Sequence, residues 1–145
     1  MPSSAKVYKT ILKHAEVKGE GSIIDLGSGW GTLAIAFARK YPHKQVIGYE
    51  LSLLPWLFSI TRKKLLGLNN LHIYRRDFFN VDLNSADLLV CYLFPKGMKK
   101  LKQKLDTDNN HVNIVSNTFA LPNSKESMII KLDDAFYTPI FFYRS

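Results

Sequence analysis

Apolar residues recur along this chain at helical spacing in some segments and in short unbroken runs in others. Val7, Tyr8, Ile11, Leu12 and Ala15 fall on one helical face, which predicts a helix from Ser4 to Glu16, closed by Gly19 and Gly21. Ser22 to Leu26 then reads as a first strand, and Thr32 to Tyr41 as a helix that Pro42 stops. Gln45 to Glu50 reads as the second strand. Ser52 to Leu66 reads as a further core helix, with Ser52 at its N-cap and Gly67 just past its end. Leu71 to Tyr74 is a short third strand, and the nearly all-apolar run Asp87 to Leu93 is a central buried one. Lys96 to Leu105 is a basic amphipathic helix, and His111 to Ser116 the fifth strand. Asp133 and Asp134 separate Ser127–Leu132 from Phe136–Tyr143, the pattern of an antiparallel hairpin. Alternating strands and helices make a mainly parallel, doubly wound α/β sheet, seven-stranded once the C-terminal antiparallel hairpin is counted.

Composition narrows this picture. The chain has 145 residues, 46% hydrophobic and 22% charged, which suits a single domain over 1–145 with a substantial core. Neither a secretory h-region nor an apolar run of membrane-spanning length is present, and Cys91 has no cysteine to pair with, so a cytoplasmic protein is expected. A formal charge of +8 favours acidic partners. The four histidines, His14, His43, His72 and His111, show no metal-ligand spacing, and no metal site is expected.

The chemistry concentrates just after the first strand, in Asp25-Leu26-Gly27-Ser28-Gly29-Trp30-Gly31. A strand that runs into a glycine-rich turn and opens a helix can bring backbone close to a nucleoside cofactor and point free N–H groups at it. A dinucleotide fingerprint would need a third glycine where Thr32 stands. Asp25 would repel a pyrophosphate but suits an ammonium group, such as the amino end of S-adenosylmethionine. An ordinary glycine turn in an α/β protein is the alternative.

This turn, an acidic residue ending the second strand, an aspartate after the third and a closing hairpin together resemble the class I, seven-strand S-adenosylmethionine-dependent methyltransferases, a Rossmann-like family, over essentially the whole chain. Within that class, Tyr92-Leu93-Phe94-Pro95, then Met98, Leu101, Lys104 and Leu105, then Ile114-Val115-Ser116-Asn117-Thr118-Phe119, are similar to the archaeal protein-lysine methyltransferases and to the mitochondrial methyltransferases of the adenine nucleotide translocase and of the ATP synthase c-subunit. Trp30 stands where that group usually has aspartate, and Pro2-Ser3-Ser4 loosely echoes its N-terminal proline motif.

Physical reasoning assigns further positions. Glu50, ending the neighbouring strand, can accept both hydroxyl hydrogens of a ribose, or it is a solvated strand-end acid. Asp77 can accept from an adenine amino group with Phe78 against the base, or it makes an Asx-turn. Leu51 lines the adenine pocket or belongs to the core. At the end of the central strand, Tyr92 could hydrogen-bond a methyl acceptor while the Leu93 and Phe94 carbonyls, stiffened by Pro95, orient an amine; a buried strand end with a turn is the alternative. Trp56 and Phe58 read as packing residues. Lysines 96, 99, 100, 102 and 104, with Arg62, Lys63, Lys64, Arg75 and Arg76, form a basic surface for nucleic acid or an anionic membrane, or simply a solvated face.

Methylation of a protein lysine leads among the functions these residues admit. The alternatives are a nucleic-acid methyltransferase, against which stands the absence of the Asp/Asn-Pro-Pro-aromatic motif of base exocyclic-amine methylation, a small-molecule methyltransferase, and a non-catalytic S-adenosylmethionine-binding module, which the intact Asp25 and Glu50 disfavour.

Overall fold

The computed structural model describes residues 5–109 and 112–145; the proline motif at 2–4, the predicted helix start at Ser4 and the predicted strand start at His111 lie outside them. In chain order the elements are α1 (Ala5–His14), β1 (Ser22–Leu26), α2 (Thr32–Lys40), β2 (Val46–Tyr49), α3 (Leu53–Leu66), β3 (Leu71–Tyr74), β4 (Ala86–Cys91), α4 (Pro95–Thr107), β5 (Asn113–Asn117), β6 (Met128–Lys131) and β7 (Pro139–Tyr143). The strands form one seven-stranded sheet in the order β3-β2-β1-β4-β5-β7-β6. The first five pair in parallel; β7 runs antiparallel to both β5 and β6.

β1 lies between β2 and β4, and all five of its residues are buried. Its side chains alternate between two cores, as a strand covered on both faces must. Ile23, with Val46, Ile73, Leu88 and Val90, packs against Val7 and Ile11 of α1 and Leu33, Ala34 and Phe37 of α2. Ile24 and Leu26, with Leu89, Cys91 and Ile114, pack against Met98, Leu101 and Leu105 of α4 and Val81, Leu83 and Leu121 from loops. Between β3 and β4 the connection contains only a 3-10 turn, Phe78–Asn80, so loops share with α4 the cover of that face.

α3 departs from the expected core helix. Ser59 is its only fully buried residue. Trp56 packs as expected, its indole N–H donating to the Ile73 carbonyl at 3.0 Å, but Phe58 is 49% exposed and Leu54 70%. α4 starts at Pro95 rather than Lys96, since proline lacks only an N–H that a first helical turn leaves unpaired anyway. No described helix is long and apolar enough to cross a membrane.

The N-terminal ends of the central strands are locked by one ion pair. Asp87 Oδ2 accepts from the Gly21 N–H at 2.8 Å and from Lys44 Nζ at 2.6 Å, and Lys44 also donates to the Gly19 and Gly21 carbonyls. Gly21 can be only glycine here, because a Cβ would lie 2.4 Å from the Ser85 carbonyl oxygen. Asp87→Ala leaves the half-buried Lys44 ammonium without its counterion and the Gly21 N–H without its acceptor, and should destabilise the fold by about 1–3 kcal/mol in urea unfolding. An unchanged midpoint would show the lock to be dispensable.

Candidate cofactor and acceptor site

The strand order reverses between β1 and β4, and open α/β sheets place their ligand crevice beyond the C-terminal ends of strands at such a point. A cavity lies there. It is lined by Asp25, Gly27, Ser28, Gly29 and Trp30 from the β1 end, by Val90, Cys91 and Tyr92 from the β4 end, and by Tyr8, Ile11, Leu33 and Asn117. Register explains the assembly: Leu26 pairs with Cys91 and Cys91 with Ser116, so the next residue along each strand, Gly27, Tyr92 and Asn117, reaches the same rim.

Gly27, Gly29 and Gly31 have φ of 73°, 57° and 84°, in the left-handed region that favours glycine. The space beside them differs. A Cβ at Gly29 would meet nothing within 4 Å, whereas one at Gly31 would lie 2.7 Å from Ser59 Oγ. Gly29 thus presents bare backbone to open space, and Gly31 lets α3 approach the turn. Ser59 uses that closeness to donate to the Gly29 carbonyl at 3.1 Å.

Glu50 clamps the turn from the other side. Its Oε1 accepts from the Gly29 N–H and its Oε2 from the Ser52 N–H, both at 2.8 Å. The strand-end acid is therefore an anchored group, with each oxygen retaining a further lone pair. Asp25 is buried at the cavity floor, and its pKa is pushed up to about 7 by burial and, secondarily, by the Glu50 charge. Burial and the neighbouring Asp25 also push the Cys91 thiol up, which rules out a thiolate near neutral pH.

Other predicted positions are placed differently. Leu26 is a core residue with 0% exposure and contributes backbone only. Ser28 packs over Gly48, whose missing side chain makes the room. Leu51 is 59% exposed, which removes the core reading, and its carbonyl accepts from Arg75 Nε. Asp77 Oδ1 accepts from the Phe79 N–H at 3.0 Å, the Asx-turn alternative, and Phe78 opens the 3-10 turn it caps. Asp77 lines a separate recess with Tyr49, Arg76 and Asn80. Of the acceptor segment only Tyr92 reaches the cavity. Leu93 packs beneath Gly27 and against Gly97, and Phe94 is 68% exposed. The Phe94 carbonyl, expected to orient an amine, accepts the Met98 N–H at 3.0 Å in the first turn of α4, the helix that Pro95 opens, and retains one lone pair.

Tyr8 and Asn117 are lining residues that the sequence reading did not single out. Tyr8 belongs to an amphipathic stripe whose target only the packing shows. Asn117 ends β5, where the strand-end rule could have found it. The chain turns sharply after it, Thr118 having φ 74°, unusual for a β-branched residue. Among the described residues no cluster of three or more His, Cys, Asp or Glu could hold a metal.

Fold and crevice together define a class I methyltransferase architecture, and solved structures agree. An RNA methyltransferase from Salinibacter ruber in complex with S-adenosyl-L-homocysteine superposes with a TM-score of 0.87 at 22% identity, over 99% of this chain and 92% of that one. A SAM-dependent methyltransferase from Aquifex aeolicus gives 0.73 at 11%, over 93% and 87%. Residues 25–128 match the ANTKMT methyltransferase domain, and the chain belongs to that family. It is 26% identical over 138 residues to a protein-lysine N-methyltransferase of Saccharolobus islandicus (strain REY15A), covering 92% of this chain and 84% of that protein. It is 27% identical over 127 residues to the human lysine N-methyltransferase of the ATP synthase C-subunit, covering 85% of this chain but 52% of the human protein.

Two outcomes follow from the carboxylates. Glu50→Ala frees two backbone N–H groups and should cost about 1–2 kcal/mol of stability in urea unfolding. Asp25 has its folded pKa raised to about 7 from 3.8, so the native state holds its proton longer than the unfolded chain. Stability of the ligand-free protein should therefore fall as pH rises from about 4 to about 7 and flatten above. Asp25→Asn should abolish that slope; a slope that survives would assign it to other groups.

Proposed function

We propose that the chain transfers a methyl group from S-adenosylmethionine to the side-chain amine of a protein lysine. The observation that carries the reading is membership of the ANTKMT methyltransferase family, joined to a cavity with a buried carboxylate on one wall and Tyr92 and Asn117 on the other. Lysine N-methyltransferase is the activity named for both the Saccharolobus and the human relative, and it is the acceptor proposed here.

The residues fit the cofactor by their chemistry. A carboxylate buried at the end of a central strand, protonated up to about pH 7, is suited to an ammonium group that would restore its charge. In this reading Asp25 holds the amino end of the methionine moiety and the open backbone at Gly29 lies along the cofactor. Glu50 takes the ribose hydroxyls on its remaining lone pairs, while Leu51, Asp77 and Phe78 flank the adenine. When bound, S-adenosylmethionine supplies a methyl group activated by a sulfonium. The protein's task is then to align a nucleophile and exclude water.

A lysine must arrive as the neutral amine, and at a reference pKa near 10.4 only about one in a thousand is neutral at pH 7. Asp25, Cys91, Tyr8 and Tyr92 are the titratable lining residues. Asp25 is committed to the ammonium and Cys91 keeps its proton, which leaves the tyrosine hydroxyls and the Asn117 amide to orient the amine, its proton passing to solvent. The acceptor arrangement thus shifts from Leu93, Phe94 and Pro95 towards Tyr92 and Asn117.

Turnover on a lysine-bearing protein should therefore rise with pH from neutral into the alkaline range, about tenfold per unit where amine deprotonation limits the rate. S-adenosylmethionine affinity, measured by calorimetry, should instead level off above about pH 7, once Asp25 is ionised. Tyr92→Phe should lower turnover more than cofactor affinity. Mass spectrometry of a labelled host lysate decides the acceptor: label confined to RNA, DNA or a metabolite would overturn the lysine reading.

A further inference from the structure

We propose that the outer face of α3 seats the protein on an anionic membrane surface. Leu54, Leu57, Phe58 and Leu65 fall at i, i+3, i+4 and i+11 along the helix, on one stripe, and are 70%, 44%, 49% and 82% exposed. The inner side of the same helix already packs on the sheet through Trp56 and Ile60, with Ser59 buried under the glycine turn. α3 thus carries two apolar faces, of which the core covers one. Single exposed leucines are common on soluble proteins; here Leu54, Leu57 and Phe58 cluster within about one turn, and Leu65 continues the stripe past Thr61, a grouping that marks an interaction site.

Charge selects the occupant. From Leu51 to Arg76 the chain contains no Asp or Glu, while Arg62, Lys63, Lys64, Arg75 and Arg76 all fall within that stretch. Lys64 is exposed, Arg75 reaches the start of α3 by donating to the Leu51 carbonyl, and the Arg62 guanidinium lies 5.7 Å from the centre of the Phe58 ring, whereas Arg76 lines a recess with Asp77 and Asp82. A second copy of the chain on this stripe would bring like charges together. A nucleic acid would answer the cations but leave the leucines in water. A leaflet with anionic headgroups satisfies both, since leucine and phenylalanine enter the acyl boundary while lysine and arginine stay at headgroup level. The helix would lie on the membrane and not span it.

Trp30 meets Phe58 edge-on with ring centroids 5.3 Å apart, and Trp30 also lines the cavity. Docking through α3 would bring the mouth of the site close to the lipid–water boundary. The inference does not depend on which group accepts the methyl.

Sedimentation of the full chain with vesicles tests it. The protein should pellet with phosphatidylcholine vesicles containing phosphatidylglycerol, hardly at all with phosphatidylcholine alone, and less as salt rises. Replacing both Leu54 and Leu65 by serine should weaken binding by about tenfold or more. Lys64→Gln should weaken it by about fivefold at low salt. Both variants should melt like the wild type, because these side chains are exposed. Failure to pellet with the anionic vesicles would overturn the proposal, as would binding that the serine variant leaves undiminished or a leucine-dependent dimer formed in its place.

Discussion

The carboxylate of Glu50 is the joint on which the site is built. It accepts one backbone N–H from the turn after β1 and one from the start of α3, each at 2.8 Å, and so ties together segments that meet only in the folded chain. The Ser59 hydroxyl adds a bond to the Gly29 carbonyl, and Gly31 supplies the space that this contact needs. A glycine-rich turn, which would otherwise sample many conformations, is held with its three glycines in left-handed geometry. The same charge that fixes the turn raises the pKa of Asp25, although burial is the larger cause. Structure and electrostatics are therefore coupled at this corner: the group that shapes the cradle also makes the buried carboxylate ready for a cation.

The sheet divides mechanical and chemical roles between its ends. At the N-terminal ends of β1 and β4, Asp87, Lys44 and the Gly19 and Gly21 backbone form a closed set of hydrogen bonds with little room for change. At the C-terminal ends β1 and β4 stop in register at Leu26 and Cys91, level with Ser116 near the end of β5, and loops take over. Residues immediately beyond a strand are held by it but are no longer used by its ladder, so their side chains and carbonyls are available to a ligand. Tyr92 stands at such a place. Asn117, the last residue of β5, still pairs with Ile140 of β7, and its carbonyl accepts from the Phe119 N–H and its Oδ1 from the Thr118 hydroxyl, while the residue lines the cavity. Phe94 lies too far along, where α4 already draws its carbonyl into the first helical turn.

How far the chain was legible follows from which forces act locally. β1 and β3 have the predicted bounds, because their apolar runs are short and glycine or asparagine punctuates them. Gly67 closes α3 with φ 66°, as the C-terminal rule requires. The burial of α3 was not legible. Its leucines satisfy helical periodicity on either side, and periodicity alone does not reveal whether a face has a partner. Asp77 shows a similar limit, because an aspartate two residues before a backbone N–H serves an Asx-turn and a ligand with the same atoms. Tyr8 reaches the cavity from α1, and Asn117 from β5, through pairings that depend on register and helix packing. For Asn117 the strand-end rule points to the right neighbourhood; for Tyr8 no local pattern carries the information.

The cavity's ionisable groups also restrict what catalysis can be. A residue that serves as general base must be within reach of the acceptor and ionise near working pH. The Cys91 thiol is pushed upward by burial, and Asp25 sits on the wall formed by the glycine turn, where an ammonium would claim its charge. With those two removed, the proposed reaction would draw its rate enhancement from holding a neutral amine in line and keeping water out, a role that tyrosine and asparagine can fill without changing protonation state. Under the same proposal, selectivity would rest partly on what brings the acceptor to the cavity, and beside Trp30 on its lining stands Phe58 of the exposed apolar face of α3.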